Sequence, residues 1–264
     1  MEIAPKPMGI VERIKQLETE EIARGELIKL SRATIKSSYV ADPAYIDSPT
    51  RQSLETLDIP QVTARAAIQA INDLGIRQAV TIIRKVPDET QRRFIIPSLG
   101  IGGTALSPTY VELFIDPSHP NVGKSLETYA SRQVGHELNH IKRMQAGKLG
   151  SNHTLLDAII SEGIATFYED HWQGQDIETP WGHGLNQEEL VMEWQHAQLE
   201  LKSTNFDHDG WFFGIGNTHH TWAVYALGTA IIEAYMKKHP RESMQRLTRR
   251  SSEQILRRSD FNPQ

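Results

Sequence analysis

Apolar residues between positions 9 and 38 recur at helical spacing, first Ile10, Ile14, Leu17 and Ile22, then Leu27, Leu30 and Ile35. That spacing predicts one or two amphipathic surface helices. Residues 39–60 carry Pro43, Pro49 and Pro60 and read as a connection. Val62, Ala66, Ile68 and Ile71 restore the helical period over residues 61–72, and Gly75 stands where such a helix would end. The period then changes. Residues 79–83 and 110–115 are rich in β-branched and aromatic side chains, and a glycine-rich extended piece, residues 99–106, lies between them. Together they predict a small sheet. After Pro120 the helical period returns over residues 125–146, 154–170, 186–201 and 218–239. The reading is α+β: a helical N-terminal region, residues 1–75, of unknown role, and a domain of residues 76–264 with a mixed front and a helical back, or one continuous domain over both.

A chain of 264 residues with 39% hydrophobic content can bury a sizeable core. Its 28 Lys and Arg against 33 Asp and Glu give a net charge of −5 without a long run of one sign, which argues against nucleic acid as the main partner. Residues 1–7 lead into a charged segment without the apolar stretch of a secretory signal, so a cytoplasmic protein is expected. No apolar run reaches the ~18 residues of a membrane span, and the densest, residues 155–160, is interrupted by Asp157. There is no cysteine, so any zinc site must be built from imidazoles and carboxylates.

The chemical signal is His136-Glu137-Leu138-Asn139-His140, an H-E-x-x-H sequence inside a segment of helical period. Residues four apart share a helix face, so both imidazoles can reach one ion. Glu137 lies beside them, where it can take a proton from water instead of binding the metal. The motif is short enough to arise by chance, and a catalytic zinc wants a third protein ligand. Glu162 meets that need: it shares an apolar helical face with Leu155 and Ile159, where a buried carboxylate needs a positive partner. The short connection of residues 147–153 favours an antiparallel helix pair, and Gly163 is expected to let the second helix approach the histidine-bearing one closely.

The order H-E-x-x-H, about twenty residues, then Ser161-Glu162-Gly163-Ile164-Ala165 resembles the gluzincin branch of the zincin metallopeptidases. Residues 162–169 look like the glutamate-bearing helix of the large zinc aminopeptidases. Closer still is the resemblance to a family of predicted Zn-dependent proteases, domain-of-unknown-function family 2268. Its succession of elements is matched by Gly102-Gly103-Thr104, by His136 to His140, by residues 160–165, by Pro180-Trp181, and by Tyr225-Ala226-Leu227-Gly228. The likeness spans about residues 99–238. It implies a zincin-like metallopeptidase fold with a Gly-rich edge strand and an active-site helix pair. It implies one Zn2+ per chain on His136, His140 and Glu162, Glu137 as general base, and a peptide or protein substrate paired to residues 102–106 through Gly103 and Thr104. Tyr225, or His219 or His220, would donate a hydrogen bond to the oxyanion or to substrate. The aminopeptidases carry a glutamate in the substrate strand, and residues 102–105 have none, which favours an endopeptidase.

Other readings of the same residues stay open. Gly102-Gly103 can be a bulge, Tyr225 a core aromatic, and Asp157 either a helix cap or a group that orients a ligand histidine. Glu137-x-x-His140 and Glu193-x-x-His196, with Glu162 between, imitate the ligand order of a ferritin-like di-iron bundle. A non-catalytic, zinc-stabilised binding or regulatory protein is a further alternative.

Overall fold

A computed structural model describes residues 27–30, 33–40 and 59–263, apart from 86, 90, 117, 118, 172, 173 and 175. The helices expected over residues 9–26 and most of the 39–60 connection lie outside them. The first described elements are strands, β1 (Leu27–Leu30) and β2 (Ala33–Val40), which corrects the helical reading of residues 27–38. The apolar spacing of Leu27, Leu30 and Ile35 fits a helix, but β2 contains Thr34, Ile35, Tyr39 and Val40, and a partner strand is available to it. β2 pairs in parallel with β3 (Val80–Lys85), from Ile35 opposite Val80 to Val40 opposite Lys85. The sheet therefore draws strands from both sides of residue 75.

Next to β3 lies β5 (Tyr110–Ile115), parallel to it, and next to β5 lies β4 (Ile101–Ser107), antiparallel. The order β1-β2-β3-β5-β4 leaves the Gly-rich β4 at an edge. Every residue of β5 is buried, as expected of a strand covered on both faces, and its Glu112 pairs with Lys85 at 2.6 Å.

Helix α1 (Ile59–Leu74) ends where Gly75 turns left-handed at φ +60°. The 125–146 stretch is two helices, α2 (Val122–Thr128) and α3 (Ala130–Gln145), broken at Tyr129. Ala66, Ala67, Ala70 and Leu74 of α1 form one core with Val80, Ile82 and Val111 of the sheet and Val134, Leu138 and Ile141 of α3. α3 thus lies across the sheet with one face committed to it, and its opposite face is left for α4 (Leu155–Asp170).

α4 begins at a capping box: Thr154 accepts from the Asp157 backbone N–H, and Asp157 accepts from that of Thr154. Asp157 also accepts from the Ser252 hydroxyl, so its role is the cap and not a ligand histidine. The second core joins α4 to α5 (Gln187–Glu200), α6 (His208–Phe213), α7 (Ala223–Lys238), α8 (Met244–Leu247) and α9 (Ser252–Ser259) through residues such as Ile159, Trp194, Trp211, Leu227, Leu247 and Ile255. α7 starts at Ala223, later than the expected residue 218, because Trp222 takes a left-handed φ of 65°. Gly163 does not face α3. A Cβ placed there would lie 2.2 Å from the Gly228 carbonyl, and one on Gly228 would lie 2.1 Å from the Ile159 carbonyl. The close crossing is therefore between α4 and α7, backbone against backbone. No described helix is long and apolar enough to cross a membrane.

Candidate metal centre

Contacts that run down α3 run up α4, so the two helices are antiparallel: Arg132 meets the Glu169 and Asp170 carbonyls, His136 meets Glu169 and Glu162, and His140 meets Ser161. His136 and His140, one turn apart, bring their ring centroids to 4.9 Å. Glu162 stands opposite, its Oε2 3.2 Å from His136 Nε2 and 3.5 Å from His140 Nε2. All three side chains are buried, and one ligand atom from each lies within 4.8 Å of the others.

The remaining ring nitrogens fix the imidazoles. His136 Nδ1 lies 3.1 Å from Glu169 Oε2, and His140 Nδ1 lies 3.0 Å from Ser161 Oγ. Glu169 is itself held by the Trp181 indole N–H at 3.1 Å. A carboxylate on Nδ1 keeps the proton there and directs the Nε2 lone pair outward, as metal-binding histidines require. Burial alone would raise the Glu162 pKa, but the charge and hydrogen bonds of His140 and His136 hold it well below the usual carboxylate range. Burial alone would lower that of His136, yet hydrogen bonds to Glu162 and Glu169 hold it well above the usual imidazole range. The pocket thus favours a positive charge among these groups, and among the described residues no Lys or Arg pairs with Glu162. Two imidazoles and one carboxylate, with no sulfur, form a donor set that fits zinc.

Glu137 projects to the side, its Oε1 accepting from Gln133 Nε2 at 2.9 Å. Burial raises its pKa, and the imidazoles of His140 and His136 pull against that rise. β4 passes directly over it: a Cβ on Gly103 would stand 2.9 Å from both Cγ and Oε1 of Glu137. Gly103 is therefore neither bulge nor spare flexibility; it leaves room for this carboxylate. Thr104, the next residue on β4, pairs across to Glu112 and is half-buried. Tyr225, in the first turn of α7, has its ring centroid 6.3 Å from that of His136 and 5.7 Å from that of Phe212. Burial, with the nearby charges of Glu162, Glu137 and Glu169, pushes its phenol pKa well up, so the hydroxyl keeps its proton.

His219 and His220 turn elsewhere: both place Nδ1 on Glu193, at 2.9 and 2.7 Å. Glu193 and His196 accordingly gather in a second cluster apart from His136, His140 and Glu162, so the two E-x-x-H units do not form one binuclear centre among the described residues. Glu169, Ser161 and Gln133 complete the surroundings of the centre, and spacing alone gives them no role. Two of them were legible in principle, since Glu169 is two helical turns past Glu162 and Gln133 one turn before Glu137.

The family described as predicted Zn-dependent protease (DUF2268) matches residues 61–257, a span that includes every element of this centre. No curated protein and no solved structure matches.

Proposed function

Because the chain belongs to the DUF2268 family of predicted Zn-dependent proteases, we propose that it is a zinc-dependent peptidase, with one zinc ion per chain at this centre, held by His136, His140 and Glu162. The observation that carries the reading is the buried Glu162 carboxylate set between two imidazole Nε2 atoms whose Nδ1 atoms are already engaged. Zinc, when bound, supplies acidification of water and polarisation of a substrate carbonyl.

The protein's own groups do the rest. Glu137 accepts the proton of the attacking water and passes it to the leaving amine, a task suited to a carboxylate whose pKa is raised by burial. Tyr225, with its proton retained, donates a hydrogen bond to the oxyanion that develops on the carbonyl. An extended peptide pairs with the edge strand β4 from Thr104 onward, past the bridge of Ile95 to Gly102 that covers the start of the strand, while Gly103 leaves room for Glu137 beside it. His220 is committed to Glu193, which leaves Tyr225 the better oxyanion donor. With no carboxylate in the strand to hold a free amine, we assign an endopeptidase acting on a peptide or protein substrate.

The test compares wild type with Glu137→Gln and Glu162→Ala by elemental analysis and by cleavage of a peptide library. Glu137→Gln should keep the wild-type zinc content and lose about 10²–10⁴-fold in turnover. Glu162→Ala should lose one equivalent of zinc along with activity. Full zinc in Glu162→Ala would overturn the ligand assignment.

A further inference from the structure

Glu193 is an anomaly on α5. The helix is largely polar and exposed, yet this carboxylate is 1% exposed. Its two oxygens are used differently. Oε1 is held from one side, accepting the His220 backbone N–H at 2.8 Å with His220 Nδ1 at 2.7 Å. Oε2 faces two further imidazoles, with His219 Nδ1 at 2.9 Å and His196 Nδ1 at 3.6 Å. The last distance is too long for a hydrogen bond, so His196 is aimed at the carboxylate without being satisfied by it. His196 and His219 have ring centroids 5.9 Å apart, and one ligand atom from each of Glu193, His196 and His219 falls within 4.8 Å of the others.

The cluster is braced. His219 stacks on Trp211 at 3.7 Å, and the Trp211 indole N–H donates to Glu200 Oε1 at 2.9 Å, so the ring is fixed before any ligand arrives. The His196 side chain is 47% exposed and gives a path from solvent. Two imidazoles and a carboxylate, oriented by a hydrogen-bonded neighbour and open on one side, form a donor set for a first-row divalent metal ion.

We propose that Glu193, His196 and His219 form a second binding site for zinc or a similar divalent transition-metal ion, separate from the centre at His136. An ion there would tie α5 to the segment that ends at Trp222, three residues before Tyr225. The site does not depend on the peptidase reading.

The test is titration of the metal-stripped full-length protein with Zn2+ by isothermal calorimetry, wild type against His196→Ala. His196 is half-exposed and outside the cores, so the variant should fold, and an unchanged far-UV circular dichroism spectrum checks that it does. The expected result is the loss of one bound equivalent, or a fall of at least about tenfold in the affinity of one site. Equal stoichiometry and equal affinities in the two proteins would overturn the proposal.

Discussion

Glu169 touches no candidate ligand atom directed at the metal position; it holds the far nitrogen of His136 and is held in turn by Trp181. Glu169→Gln removes the negative charge that keeps the proton on Nδ1, and zinc affinity at this centre should fall about 10–100-fold. Competition with a chelating indicator measures it, and an unchanged affinity would reduce Glu169 to a packing residue. The three candidate ligands could be read from linear spacing because a helix converts i, i+4 into proximity, and because an apolar stripe around Glu162 implies burial. Ser161 could not be read that way. It is an ordinary serine in the sequence, and its bond to His140 exists only because α4 lies antiparallel to α3 at this register. Likewise His219 and His220 were eligible for the site by residue type, and only the turn before Ala223 directs them to Glu193.

At the scale of elements, periodicity located the longer helices after residue 59, their ends less well, and gave no sign of the short α6, α8 and α9. α4 begins where a Thr and an Asp three residues apart can cap it. The onset of α7 depended on something less visible, the left-handed Trp222, which blocks a helix from starting at residue 218. The packing partner of Gly163 was also out of reach, since a glycine announces close approach without saying to what. The crossing with Gly228 makes a firm prediction. Gly228→Ala would put a methyl 2.1 Å from the Ile159 carbonyl and should cost about 1–3 kcal/mol or more as the helices are forced apart. Thermal unfolding should then shift down by about 2–4 °C per kcal/mol. A variant as stable as wild type would show that α7 can slide freely.

For the whole molecule, the α+β character was readable because residues 79–83 and 110–115 break the helical period so sharply. β1 and β2 were not, since β1 pairs only with β2, and β2 depends on β3, a strand some forty residues away. The centre at His136 joins α3, which belongs to the core on the sheet, to α4, which belongs mainly to the helical core. Zinc binding should therefore stabilise the entire fold: an ion present at about 100 times its Kd adds about 2.7 kcal/mol. Chelation should lower the melting temperature, and readded zinc should restore it in wild type more than in Glu162→Ala, as differential scanning fluorimetry would record. The glycine crossing has a mechanical consequence as well. Glu162 precedes Gly163 on α4, and Tyr225 lies one turn before Gly228 on α7, so each site residue sits beside a joint where main chain rests on main chain. Side chains can absorb a small displacement by changing rotamer; a joint of bare backbone has no such play. Glu162 and Tyr225 are thus expected to keep their spacing when α7 is disturbed on its outer face, as two points on one stiff joint.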